Sequence, residues 1–136
     1  LLEITTDNVH LDEQYMIGGM KTEAGTDRVI PIADKILPLV KNRYDANRRF
    51  LVNNKYGNHY TYGSYVSANF NTVMNKLNMK HLPHDGRHTF ASLMDDAGAN
   101  EVCIKLIMGH SMKNNVTKGV YTHKTTQQLI DEVNKI

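Results

Sequence analysis

The chain has 136 residues, 40% of them hydrophobic, enough for one domain with a true core and too few for two. Its 16 basic and 14 acidic residues leave a formal charge of +2, compatible with nucleic acid and with almost any other aqueous partner, so charge excludes little. The single cysteine, Cys103, excludes an intrachain disulfide, and the sequence has neither a charged-then-apolar leader nor a long apolar run, which predicts a cytoplasmic chain without a membrane span.

Leu1-Leu2-Glu3-Ile4-Thr5 opens the chain inside an apolar segment and without an initiator methionine, so the sequence reads as a piece of something larger. Between Val9 and Ile32 polarity alternates and is broken by Asp12-Glu13, Gly18-Gly19 and Gly25-Thr26, which predicts antiparallel strands near 8–11, 14–20 and 26–31. From Ala33 to Asn47 the positions of Ile36, Leu37, Leu39, Val40 and Tyr44 have helical spacing, with Pro38 early enough to be tolerated or to kink the element. Arg49 to Val52 reads as a short extended piece, and Tyr65, Phe70, Val73, Met74 and Leu77 support a helix over about 63–78.

The remaining elements read as helices. Pro83 suits the first turn of one that runs to the Gly98 stop, with Phe90, Leu93, Met94 and Ala97 as its apolar stripe and His84, Arg87 and His88 on a different face. Asn100 is placed to cap the next, which Gly109 ends, and Cys103 in its apolar stripe reads as inert core. A further helical turn is expected over 113–120, then a terminal amphipathic helix from Thr126 to Ile136. The fold class is α+β, a small antiparallel sheet near the N-terminus followed by a mainly helical body.

His84-Asp85-Gly86-Arg87-His88 places an imidazole and a guanidinium three residues apart, as neighbours on a helix. Such a pair suits an anion, because arginine stays charged and presents a planar fork matched to phosphate. By itself the trio could equally solvate a helix face. Further along come Leu106-Ile107-Met108-Gly109-His110-Ser111 and Gly119-Val120-Tyr121-Thr122-His123. With these the chain resembles the tyrosine recombinase, or phage integrase, family, in which H-x-x-R, a later G-H-S and a downstream Y-T-H occur in this order. Lys21 in Met20-Lys21-Thr22, followed by Arg28-Val29-Ile30-Pro31-Ile32, is similar to the family's β-hairpin lysine and its next strand. Each motif is weak alone; four in order, between Leu1 and about Lys124, make the resemblance specific.

The resemblance implies site-specific recombination or integration of double-stranded DNA, with Tyr121 as the nucleophile that forms a 3′-phosphotyrosine. It implies Arg87 and His110 as donors to the phosphate oxygens and His84 as a proton-accepting or phosphate-positioning group. Lys21 would be the general acid, carried on a mobile hairpin tip. His84, Arg87, His110 and Tyr121 should surround one basic concave surface, with His88 in a buried supporting role. No cofactor and no metal is implied, since the energy of the broken bond is kept in the phosphotyrosine. The implied assembly is a homo-oligomer, a tetramer on DNA in the parent protein. The family's first catalytic arginine should precede Leu1, so the chain is expected to be a catalytic domain without its first helices and without the upstream DNA-gripping domain, and to be inactive alone. Gly86, where the family more often has an apolar residue, is a lesser departure.

Three rival readings remain at this stage. A type IB topoisomerase would use a similar tyrosine to relax supercoils, and a non-catalytic DNA-binding module would use the same basic residues only to hold backbone. Zinc at His84, His88 and His81 is the third; an arginine within that cluster would repel a cation, and H-E-x-x-H is not met because Asp85 follows His84. Tyr15, Tyr44, Tyr56, Tyr60, Tyr62 and Tyr65 lack the motif around Tyr121, and the cluster from Tyr56 to Tyr65 reads as a loop followed by a helix start rather than a DNA-contact surface.

Overall fold

The computed structural model describes residues 1–19, 26–110 and 124–136. Three antiparallel strands, β1 (Val9–His10), β2 (Tyr15–Gly18) and β3 (Arg28–Pro31), form a sheet in the order β1-β2-β3. They are shorter than the alternation predicts. β1 makes only two register pairs, Val9 with Met16 and His10 with Tyr15, before the chain turns through Gln14 at φ 56°. Residues 4–6 also pair with the extended piece at 49–51: the Thr6 N–H donates to the Arg49 carbonyl and the Leu51 N–H to that of Ile4.

Strand β3 joins two cores. Met16 and Ile30 are register partners on one face, where Ile4, Val9, Met16, Ile32 and Leu51 are buried together. Ile17 and Val29 are partners on the other, and Val29 packs against Met94, Cys103, Ile107, Leu129 and Val133. The period-two alternation of a pleated strand thus sends adjacent residues into different clusters.

The first helix, α1 (Leu37–Arg43), is shorter than the span 33–47. Pro38 lies in its first turn, where a missing N–H costs nothing, and this fixes the start; residues 33–36 form a turn in which Ala33 accepts from both Ile36 and Leu37. The helix expected over 63–78 is α2 (Tyr62–Tyr65), a π-helical turn (Val66–Phe70) and α3 (Asn71–Lys76), capped by the Thr61 hydroxyl and closed by Asn78 at φ 51°. Helices α4 (Asp85–Asp96), α5 (Glu101–Met108) and α6 (Thr126–Val133) follow the sequence reading closely. Gly98 at φ 64° ends α4; Asn100 caps α5 by accepting from Val102 and Cys103; Thr125 and Gln128 form a capping box on α6. The turn expected over 113–120 lies outside the described residues. Among the described residues no helix is long and apolar enough to cross a membrane.

Candidate functional site

Helix α4 begins at the H-x-x-R motif. His84 is its N-cap residue, and the Asp85 carboxylate turns back to accept from the Leu82 N–H (3.0 Å) and to meet His81 Nδ1 (3.3 Å). The Leu82 bond, then His81, hold the Asp85 carboxyl below the usual carboxylate range. His84 and His88 are exposed, their rings edge to face at 5.1 Å. The buried role expected for His88 is therefore corrected: one helical turn beyond His84, it shares that residue's solvent side.

Arg87 departs from the sequence reading in another way. It does not stand apart from the apolar stripe but borders an open groove of about 1060 Å³, alongside Gly86, Phe90 and Leu93. That groove is mainly apolar, with Arg28, Arg87 and Lys35 among its lining groups, and neither His84 nor His110 lines it. The basic concave surface expected around His84, Arg87, His110 and Tyr121 extends to Tyr121, which lies outside the described residues.

Arg87 Nη2 donates to the Met108 carbonyl at 2.6 Å, across 21 residues of sequence. Met108 is the last residue of α5, Gly109 turns left-handed at φ 66°, and His110 follows, exposed to solvent. The structure therefore brings the H-x-x-R arginine to the base of the Gly-His motif, two residues from His110. Arg28, at the head of β3, reaches the same helix end, its Nε donating to the Ile107 carbonyl at 2.8 Å. Burial, and after it the neighbouring Arg87 charge, lower Arg28 from the usual guanidinium range. In the sequence Arg28 reads only as part of a strand, because its partner Ile107 lies 79 residues away and leaves no local mark.

Lys21 and Tyr121 lie outside the described residues. Cys103 is buried, and that burial raises its thiol pKa, as expected of an inert core cysteine. Around the tyrosine cluster, Thr61 caps the helix that Tyr62 begins, and Tyr60 and Tyr65 meet edge to face at 5.7 Å, which is the loop and helix start the sequence suggested. Among the described residues no group of three or more His, Cys, Asp or Glu side chains is gathered as a metal site.

The family model of the phage integrase family matches residues 1–128. The chain belongs to the phage integrase family. Curated relatives include a tyrosine recombinase of Thermosipho africanus, 27% identical over 112 residues, covering 81% of this chain and 39% of that protein. The tyrosine recombinase XerC of Chlorobaculum tepidum is 27% identical over 150 residues, covering 99% of this chain and 44% of that protein. The transposase from transposon Tn916 of Enterococcus faecalis is 27% identical over 146 residues, with 90% and 34% covered. An integrase from mycobacterium phage Brujita has the same fold, with a TM-score of 0.70 at 18% identity, covering 98% of this chain and 44% of that one. This phage integrase family chain thus spans between a third and a half of the length of these relatives.

Proposed function

We propose that the protein carrying this chain performs site-specific recombination of double-stranded DNA, cutting and rejoining strands through Tyr121. The observation that carries the reading is the Arg87–Met108 bond, which joins the H-x-x-R and Gly-His motifs at one point of a phage integrase fold. Tyr121 Oη attacks a backbone phosphorus, a P–O bond forms to the tyrosine, and the bond to the 5′-oxygen breaks. Lys21 gives that oxygen its proton, and His84 accepts or relays the phenol's, since a phenol with a pKa near 10 needs help near neutrality. Arg87 and His110 hold the non-bridging oxygens as charge builds on the phosphorus, a contribution of roughly 3–4 kcal/mol per well-placed donor. Attack by another 5′-hydroxyl reverses the step without ATP.

The family match and the order of the motifs support this reading, and relatives named as recombinases and a transposase extend it to mobile DNA. The active species is a homo-oligomer on DNA, a tetramer in the whole protein. The test uses nicked duplexes covering the DNA that flanks the gene, on which a cleaved strand cannot be religated and the covalent adduct accumulates. The unsubstituted protein should form the adduct and Tyr121→Phe none, with DNA affinity retained; an adduct in Tyr121→Phe would assign the nucleophile elsewhere.

A further inference from the structure

The end of α5 is held more completely than a surface helix needs. The last four carbonyls of a helix have no partner within it. Here the His110 N–H donates to the Lys105 carbonyl at 2.9 Å and the Gly109 N–H to that of Leu106 at 3.0 Å, the paired bonds of a Schellman motif. The two carbonyls left over, of Ile107 and Met108, are taken by Arg28 and Arg87. Their guanidiniums thereby fix two consecutive peptide planes, from β3 on one side and α4 on the other. Gly109 then sets the direction in which His110 leaves.

Two cations this close repel, and covering one of them costs solvation. The partial negative charge at a helix C-terminus offsets part of that cost. Both guanidiniums bind the backbone one and two residues before Gly109, next to the peptide from which His110 leaves. We infer that Arg28 is a positioning residue for His110, fixing with Arg87 the α5 terminus from which His110 meets the phosphate. The phosphate part rests on the recombinase reading; the positioning of His110 does not.

The substitutions Arg28→Met and Arg28→Lys in the full chain separate the two. With ¹³C-labelled histidine and the His110 signal assigned through His110→Asn, Arg28→Met should shift or broaden the His110 ring resonance, leaving that of His10 in β1 unaffected. Arg28→Lys, which keeps the charge but not the planar fork, should move it less and serves alone if the methionine variant does not fold. A residue acting on stability only would lower the unfolding midpoint and leave the His110 signal of the folded chain in place, and that result would overturn the inference. On nicked duplex DNA at saturation, Arg28→Met should slow adduct formation at least ten-fold with less than a three-fold change in Kd; an unchanged rate overturns the catalytic consequence. If the unsubstituted protein forms no adduct, the recombinase reading fails, and the His110 spectrum still decides whether Arg28 positions it.

Discussion

Replacing Arg87 with glutamine tests two functions of one side chain. The first is structural: the bond to the Met108 carbonyl is charge-assisted, and losing such a bond costs about 1.5–3 kcal/mol. Domains of this size are stable by about 5–15 kcal/mol. Even at the low end of that range, and with the largest loss, about 2 kcal/mol remains, or roughly thirty folded molecules for each unfolded one. Unfolding can therefore account for only a few per cent of any lost activity. The second function is chemical: removing a donor from the phosphate should slow strand cleavage by about 10²–10³. Urea unfolding gives the first quantity, and single-turnover adduct formation at saturating nicked DNA gives the second. A rate that falls only as far as the folded fraction would restrict Arg87 to holding the end of α5 and remove it from the phosphate.

Other substitutions test the frame around the site. Asn100→Ala removes the acceptor for the Val102 and Cys103 N–H groups and should cost about 1 kcal/mol in a denaturant titration, with an unchanged midpoint refuting the cap. Gly86→Ala meets nothing within 4 Å of the added Cβ and should stabilise by about 0.5–1 kcal/mol, read as a higher Tm; a lower Tm would mean that the first turn of α4 needs glycine. Glu132 accepts from the Asn100 N–H at 2.7 Å and from Lys135 at 2.9 Å, and although burial pushes its pKa up, these partners outweigh it and hold the carboxyl below its ordinary 4.5. A depressed carboxyl stabilises above its unfolded pKa and loses that contribution as the pH falls through the folded one. The stability gap between the native chain and Glu132→Gln should accordingly be about 1–2 kcal/mol at pH 7 and close as the pH drops below 4.5; a gap that persists in acid would rule out the charged form as its source.

What the sequence made legible was local. Asn100, Gly98 and Gly109 announce helix ends through backbone chemistry confined to a few residues, and the structure has each where the pattern puts it. Element lengths were less readable, because Pro38 overrides the longer apolar spacing around it and the π-helical turn at 66–70 leaves no mark in hydrophobicity. The site was legible as motifs and not as contacts. Arg28 reaches Ile107 across 79 positions of sequence, and His88 lies in the open although its spacing alone allowed burial.

The way β3 feeds two cores also has a consequence for how the gene can vary. Adding or deleting one residue within 28–31 would reverse both faces of the strand, sending Val29 toward the cluster around Met16 and Ile30 toward that around Met94. Both clusters would be mispacked by a single codon, and Arg28 would lose its approach to α5. Substitutions that conserve volume leave that register intact, so natural variants of this segment should differ in side-chain identity and hardly ever in length.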